Sequence, residues 1–433
     1  MKMIIKGGRV IDPARDIDET MDLLIEDGAI AACGRLGEGA VDGAEVIEAT
    51  GKWVVPGLID VHTHLREPGQ EEKEDIGSGA RAAVAGGFTA IAAMANTVPP
   101  VDNRPLVEYV LNRGRVANAA RVYPIGAVSK GLKGEELAEL ADMAEGGAIA
   151  FSDDGKPVMN AELMRLALQY AQMLNRPVIA HEEDRNLFSD GAMHFGYWSS
   201  MLGLRGIPAV AEETMVARDL MLAEVTGGHV HIAHVSTARS AALIREAKGR
   251  GVKVTAEAAV HHLILTDEAV ATSGYDSNTK VNPPLRPQSD VNALREALND
   301  GTIDCLVTDH APHHEDDKNV EYPLAAFGIS GLETALPLLL SELVAKGQLT
   351  PARLVTLYST NPARIFGLPG GTLAEGAPAD VTVIDPAALY AVDPRKFYSK
   401  GKNTPFAGQV LRGRAVATIV GGQLKMRDGQ VLV

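Results

Sequence analysis

The chain has 433 residues, 46% of them hydrophobic, and a formal net charge of -15 from 41 Lys plus Arg against 56 Asp plus Glu. This length allows one large domain of about 250 to 300 residues and a smaller one, and the negative charge argues against nucleic acid or an anionic membrane as the main partner. The two cysteines, Cys33 and Cys305, are too far apart in sequence for a zinc ribbon or a disulfide framework. Since we find neither an export signal nor an apolar run of about 18 residues, we expect a soluble, cytoplasmic protein.

Short segments of β-type alternation occur at both ends of the chain. They lie between Gly, Asp and Pro turns at residues 2–5, 22–26, 45–49, 379–384, 415–420 and 423–426. Because the two ends have the same character, they predict one small composite β-sandwich domain, built from residues 1–53 and 368–433.

The central residues, 54–367, have a different rhythm, in which short apolar runs alternate with longer segments of helical period. The eight apolar runs are Val54 to Asp60, Thr89 to Met94, Val122 to Ala127, Ala148 to Ser152, Pro177 to His181, Val230 to His234, Val252 to Ala256 and Ile303 to Thr308. Eight β-α units predict a (β/α)8 TIM barrel in the α/β class. The rhythm alone leaves a doubly wound open sheet as the alternative.

Histidines and aspartates follow several of these runs, at the strand ends where a barrel carries its reactive residues. They are His62, His64, Asp153, Asp154, His181, His234 and Asp309. The side chains of His62 and His64 point the same way from an extended segment, so both can reach one ion. A single histidine of this kind could be a core residue, as we take His229 and His231 to be, and Asp309 alone could be a turn residue. Their joint position at one rim predicts a metal site.

The candidate ligands are imidazoles and carboxylates without thiolates, which suits zinc, with manganese or cobalt as substitutes. They are more numerous than one tetrahedral catalytic ion requires while it keeps an open position. We therefore predict two metal ions that share a bridging ligand. The residues by themselves do not decide between Asp153 and Asp154 as the bridge.

The segment PGLIDVHTHLREPG at 56–69 resembles the signature of the class I dihydroorotases of the amidohydrolase superfamily. Further segments similar to that family are MANTVPP at 94–100, AFSDDG at 150–155, HEED at 181–184, HIAHVST at 231–237, KVNPPLR at 280–286, TDHAPH at 308–313, FGISGLET at 327–334 and NPARIFGL at 361–368. The resemblance covers nearly the whole chain and implies a barrel with a composite β domain, in agreement with the independent pattern.

The resemblance also implies two zinc ions per subunit. One ion would be bound by His62, His64 and Asp309, the other by His181 and His234, with Asp154 as the bridge. Relatives such as hydantoinases use a carboxylated lysine on the fourth strand as the bridge. Here FSDDG stands at that place, and Lys156 lies beyond the strand end.

The activity implied by the resemblance is the reversible cyclisation of N-carbamoyl-L-aspartate to dihydroorotate in pyrimidine biosynthesis. A hydroxide between the metals would act as nucleophile and Asp309 as proton shuttle. Arg66 would pair with the substrate carboxylate, since a guanidinium matches a carboxylate in geometry and charge. The other implied substrate contacts are His64, Asn96, Asn282, His313 and the backbones of Phe327 and Gly328, the last of these in a loop, 310–328, over the site.

Two other functions are compatible with parts of this pattern. A hydantoinase or allantoinase would share the barrel and metals, whereas a non-catalytic scaffold of aspartate transcarbamoylase should have lost metal ligands that are present here. From the family we expect a homodimer, with association with aspartate transcarbamoylase as a further possibility.

Two departures from the family pattern, no Thr-Pro before His261 and Ala326 in place of proline, concern the substrate loops.

Overall fold

In the computed structural model, which describes residues 2–37 and 42–433, the two ends of the chain form one nine-stranded sheet. Its strands are Lys2–Asp12, Ile17–Glu26, Ala29–Gly34, Glu45–Glu48, Trp53–Pro56, Val381–Ala391, Val410–Val420, Gln423–Arg427 and Gln430–Val431. Residues 1 and 38–41 of the predicted composite domain lie outside the described residues.

The strand Trp53–Pro56 joins the two halves of this sheet. It pairs parallel with Lys2–Asp12 on one side and antiparallel with Val381–Ala391 on the other. Apolar side chains from both halves, Ile5 and Val381 among them, pack into one cluster. Burial of this shared apolar surface favours association of the two chain ends.

The central part of the chain forms a closed barrel of eight parallel strands. In chain order these are β1 (Leu58–Thr63), β2 (Phe88–Ala93), β3 (Arg121–Pro124), β4 (Phe151–Ser152), β5 (Val178–Ala180), β6 (Val230–Ile232), β7 (Val254–Ala259) and β8 (Cys305–Val307). Single parallel bridges, Gly126 to Phe151 and Thr63 to His310, connect β3 to β4 and the end of β8 to β1. Because the circle of strands closes, the barrel prediction is confirmed and the open-sheet alternative is wrong.

Helices follow the barrel strands. The longer ones are Ile76–Gly86, Arg104–Ala117, Leu140–Gly146, Ala161–Met173, Val210–Thr226, Ala238–Gly249 and Gln288–Asp300, and Ala335–Leu339 continues into a π-helical turn at Leu340–Val344. Shorter helices are Arg185–Phe188, Tyr197–Leu202, Val260–Ile264, Glu268–Thr272, Glu315–Lys318, Pro351–Val355 and Asn361–Phe366, with a second π turn at Thr356–Thr360. The side chains of Asp75, Asn103 and Asn160 cap their helices by accepting hydrogen bonds from first-turn amides. Among the described residues, no helix combines the length and apolar character needed to cross a bilayer.

The predicted first strand, Val54 to Asp60, is divided in the structure. Its first part belongs to Trp53–Pro56 of the terminal sheet, and β1 begins only at Leu58. Both strands are buried throughout, so the apolar run carries no change of polarity where the chain passes from one sheet to the other. Gly57 lies between the two strands. Only glycine fits there without a shift, because a Cβ atom would lie 2.1 Å from Thr89 Oγ1.

We expect Gly57→Ala to lower the free energy of unfolding by about 1–3 kcal/mol, because the added methyl group overpacks the contact with Thr89. Gly249→Ala is the matched control, since a Cβ atom there meets nothing within 4 Å. Urea denaturation followed by circular dichroism measures both variants. Equal midpoints for the two would contradict the close packing at the passage between the sheets.

Candidate active site

The six predicted metal ligands come together at the carboxyl-terminal end of the barrel, and all are buried. They are His62 and His64 at and after the end of β1, Asp154 after β4, His181 after β5, His234 after β6 and Asp309 after β8. Parallel strands of a barrel end at one rim, so residues far apart in sequence become neighbours there.

The carboxylate of Asp154 lies at the centre of the cluster. Its Oδ1 atom is 3.5 Å from His62 Nε2 and 3.4 Å from both His181 Nδ1 and His234 Nε2, and its Oδ2 atom is 3.5 Å from His64 Nε2. Two groups with metal-binding geometry result, one of His62, His64 and Asp154 and one of Asp154, His181 and His234. Asp154 is the member that both groups share.

Asp309 lies on the side of the first group. Its Oδ1 atom is 3.3 Å from His64 Nε2 and 3.6 Å from His62 Nε2. The backbones of Asp309 and His234 have φ values of 47° and 28°, in a region that residues other than glycine rarely occupy. Such conformations are costly and cluster at functional sites, where surrounding packing maintains them.

The structure separates Asp154 from its neighbour Asp153. The carboxylate of Asp153 accepts hydrogen bonds from the backbone N–H groups of Val128 (2.8 Å) and Ser129 (3.0 Å), and from the Ser129 hydroxyl. It is therefore occupied away from the imidazoles. Lys156, the position at which a carboxylated lysine was considered, is exposed.

The cluster fits a bound cation. Among the described residues, His62 Nε2 and Asp154 Oδ1 are buried without any hydrogen-bond partner. Buried polar atoms are nearly always paired, because an unpaired one has lost its hydration without compensation. A metal ion within reach of both atoms supplies the missing interaction, and imidazole and carboxylate are ligands that divalent transition metals accept. The cluster can therefore hold a metal ion.

Two side chains outside the ligand set orient the histidines of the first group. His62 Nδ1 donates to Glu257 Oε1 at 2.5 Å, and His64 Nδ1 donates to Asn96 Oδ1 at 3.0 Å. Each bond leaves Nε2 as the bare nitrogen that faces the site. Asn96 was predicted as a substrate contact, but Glu257 was not predicted at all. Its only signal in the sequence is an acidic residue within a buried, otherwise apolar part of β7.

The histidines and carboxylates of the cluster shift each other's pKa values. Burial opposes a charge on His62, but the carboxylates of Asp154 and Glu257 outweigh it and raise the pKa of His62 well above its ordinary value. Burial likewise works against ionised Asp154, yet the imidazoles of His62, His181 and His234 keep the pKa of this carboxyl well below its usual range. The carboxylates around His62 therefore favour a positive charge at this position.

Arg66 and His313 lie next to each other beside the metal ligands. Arg66 Nε donates to Pro312 O at 3.1 Å, and its Nη2 atom lies 3.3 Å from His313 Nε2, which is 2.8 Å from Phe327 O. Burial lowers the pKa of Arg66 to about 10, so the guanidinium still carries its charge at neutral pH. A buried cation therefore stands beside the site, within reach of an anionic group.

Two buried lysines hold the segment 310–328. Lys318 Nζ donates to Ala326 O (2.7 Å) and Gly328 O (3.1 Å), and Lys280 Nζ donates to carbonyls of residues 323 and 325. The Gly328 N–H group donates in turn to Lys280 O at 2.8 Å. Burial of a lysine ammonium group costs free energy unless hydrogen bonds compensate for the lost water. Here the backbone carbonyls supply these bonds, and the lysines in turn hold the segment that carries the carbonyls. The predicted substrate contacts Phe327 and Gly328 lie in this fixed segment.

Asn282 is the remaining predicted substrate contact. Its amide nitrogen donates to Glu183 Oε1 at 2.9 Å and lies 3.3 Å from His181 Nε2. It therefore borders the group of Asp154, His181 and His234. The structure thus brings all the predicted site residues to one end of the barrel.

The comparisons with known proteins agree with this geometry. A family model described as dihydro-orotase-like matches residues 51–240, and one described as amidohydrolase family matches residues 208–424. The dihydroorotase of Pelotomaculum thermopropionicum is 60% identical, with 99% of each chain covered, and that of Pelobacter propionicus is 54% identical, with 99% of this chain and 100% of the relative covered. Among solved structures, L-hydantoinase (dihydropyrimidinase) from Arthrobacter aurescens superposes with a TM-score of 0.88 at 27% identity, over 100% of this chain and 97% of that chain.

A closed (β/α)8 barrel with paired histidine groups around one aspartate defines a hydrolase of the amidohydrolase class. At up to 60% identity over nearly its full length, the chain belongs to the dihydroorotase family.

We expect metal uptake to release protons, and metal affinity to rise as the pH rises from about 6 to about 8. The raised pKa of His62 means that the metal-free site is protonated at neutral pH, and the ion must displace that proton. Calorimetric titration of the metal-free protein in buffers of different ionisation enthalpy counts the protons released. Uptake without proton release, at an affinity independent of pH, would contradict this description of the site.

Proposed function

We propose that the protein is a zinc-dependent dihydroorotase that interconverts N-carbamoyl-L-aspartate with (S)-dihydroorotate plus water in de novo pyrimidine biosynthesis. The observation that carries this proposal is the pair of histidine groups around Asp154 with the buried guanidinium of Arg66 beside them. A hydantoinase function is not favoured, because the dihydroorotases matched are 52–60% identical to this chain and the hydantoinases 24–27%.

Two zinc ions per subunit are the expected cofactor, since the donors are nitrogen and oxygen and Asp154 belongs to both groups. His62, His64 and Asp309 would hold one ion with Asp154, and His181 and His234 would hold the other. When bound, the ions supply charge that polarises the amide carbonyl and lowers the pKa of the attacking water.

Asp309 is the residue that we assign to proton transfer. Burial opposes its charge, but the imidazoles of His64 and His62 keep the pKa of Asp309 below its usual range, so it is ionised and can accept a proton. In hydrolysis it takes the proton of the attacking water and gives it to the ring nitrogen as the amide bond breaks. In ring closure the same carboxylate moves the proton in the opposite direction.

The side chain of Arg66 is assigned to the substrate carboxylate, because a charged guanidinium can donate two parallel hydrogen bonds to it. Its contacts with Pro312 O and His313 hold the guanidinium in place before substrate arrives. The donors and acceptors of the ureide are assigned to His64, Asn96, Asn282, His313 and the backbones of Phe327 and Gly328.

The family also supports a cytoplasmic homodimer, with aspartate transcarbamoylase as a candidate partner. A scaffold without catalytic activity is not favoured, because the complete ligand set is present in one buried cluster. Size-exclusion chromatography with light scattering, with and without the transcarbamoylase, distinguishes these assemblies.

We expect Asp309→Asn to lower kcat for dihydroorotate hydrolysis by about 10²–10⁴-fold, the range of a lost general acid–base group. The amide keeps the size of the side chain but cannot accept the proton. Steady-state kinetics are measured together with zinc content. Since Asp309 is also a proposed ligand, the test requires variant protein that retains zinc, and full activity of such protein would contradict the assigned role.

We expect Arg66→Met to reduce kcat/KM for dihydroorotate by about 10–100-fold, because a charge-assisted bond of about 1.5–3 kcal/mol is lost. Any turnover of hydantoin, which has no carboxylate, should change little. The wild-type protein is assayed on dihydroorotate, hydantoin and allantoin in the same series. Clear hydantoin turnover with no dihydroorotate turnover would overturn the proposed function.

A further inference from the structure

A line of polar side chains runs through the barrel interior from the metal site to its opposite end. The contacts are His62 Nδ1 to Glu257 Oε1 (2.5 Å), His231 Nε2 to Glu257 Oε2 (3.0 Å), His231 Nδ1 to Thr255 Oγ1 (2.7 Å) and His229 Nε2 to Thr255 Oγ1 (2.8 Å). The rest of this interior is mainly apolar, and its Phe366 packs against the His231 ring at 5.2 Å. We call the set of Glu257, His231, Thr255 and His229 the polar line.

The hydrogen bonds of the polar line have one consistent direction. An ionised carboxylate only accepts hydrogen bonds, so Glu257 requires an N–H group at His62 Nδ1 and another at His231 Nε2. A neutral His231 is then bare at Nδ1 and accepts from the Thr255 hydroxyl. The oxygen of that hydroxyl accepts in turn from His229 Nε2–H. The single charge of Glu257 therefore orders every tautomer from His229 to His62.

The far end of the polar line lies at the amino-terminal face of the barrel. His229 directly precedes β6 and lines a cavity of about 290 Å³, together with residues that precede β5 and β7. At the opposite ends of β5 and β6 lie the proposed ligands His181 and His234. The polar line thus joins the two faces of the barrel.

Burial of the charged Glu257 and of His231 is unfavourable by itself. Glu257 and His231 are fully buried, and a buried charge is tolerated only when it is paired and hydrogen-bonded. The carboxylate also accepts the backbone N–H group of His234 at 3.3 Å. Glu257 therefore contacts one ligand from each metal group, by a ring nitrogen in one and by backbone in the other.

We propose that Glu257, His231, Thr255 and His229 are positioning residues for the metal centre. Together they fix the ring orientation and Nδ1–H tautomer of His62, so that residues at the far end of the barrel set the metal affinity at the catalytic end. Outer residues of this kind typically change metal affinity by 10–100-fold. The inference rests on metal binding at the proposed site, but not on the identity of the substrate.

The decisive variant is Thr255→Val, because Thr255 is separated from His62 by Glu257 and His231 in the polar line and contacts no proposed ligand. We expect a zinc dissociation constant raised about fivefold, because valine leaves His231 Nδ1 and His229 Nε2 without their hydroxyl partner. Thr418→Val is the matched control, because Thr418 also donates one hydrogen bond, to Val84 O at 2.8 Å, but lies in the terminal sheet. Zinc affinity is measured by chelator competition, and ligand geometry by the absorption spectrum of the cobalt-substituted protein.

Two further variants separate positioning from folding. Thr255→Ser retains the hydroxyl and should restore wild-type affinity. Glu257→Gln can still accept from His62, but its amide group cannot accept from His231, and we expect a loss of about 10–100-fold. Equal zinc affinities and cobalt spectra for Thr255→Val and Thr418→Val would overturn the proposal. Absence of dihydroorotate turnover in the wild-type protein would instead contradict the proposed function. It would leave this proposal intact, since zinc affinity and the cobalt spectrum are measured without substrate.

Discussion

The shared carboxylate of Asp154 is the constraint on which the catalytic end of the barrel depends. Four imidazole nitrogens from three strand ends lie within 3.5 Å of its two oxygens, and all five side chains are buried. A buried cluster of a carboxylate and four imidazoles is unfavourable unless the negative charge is balanced by a positive one. A bound cation would remove this conflict, and the hydrogen bonds to Nδ1 of His62 and His64 leave their Nε2 atoms directed at Asp154.

Residues around the proposed ligands orient two different parts of the site. Glu257 and Asn96 select which nitrogen of His62 and His64 faces the site. Lys280 and Lys318 donate to carbonyls of the segment 310–328 and so hold Phe327 and Gly328 in position. Both arrangements direct polar atoms by hydrogen bonds in the interior, where such bonds are stronger than in water.

The sequence was sufficient to predict the barrel and the ligand cluster, because strand ends are marked locally and parallel strands end at one rim. It misplaced the first barrel strand, since the apolar run around Gly57 passes between two buried sheets without a change of polarity. The residues by themselves also left the bridging ligand open, although the family resemblance implied Asp154. Asp153 and Asp154 are equivalent in sequence, and only the bonds from Val128 and Ser129 show which carboxylate is already occupied.

Contacts between distant segments account for the residues that were not predicted. Glu257 is 195 residues from His62, and Lys280 lies 45 residues from the carbonyl of Ala325 to which it donates. Neither belongs to a pattern of spacing or type that signals its partner. His231 was taken as structural for the same reason, and its bond to Glu257 becomes visible only when β6 and β7 lie side by side.

The most direct test of this account is anomalous diffraction at the zinc absorption edge from crystals of the zinc-loaded protein. The account predicts two anomalous peaks on either side of Asp154, one in contact with His62 and His64 and the other with His181 and His234. Absence of any peak at Asp154, or a single ion bound without that carboxylate, would contradict it.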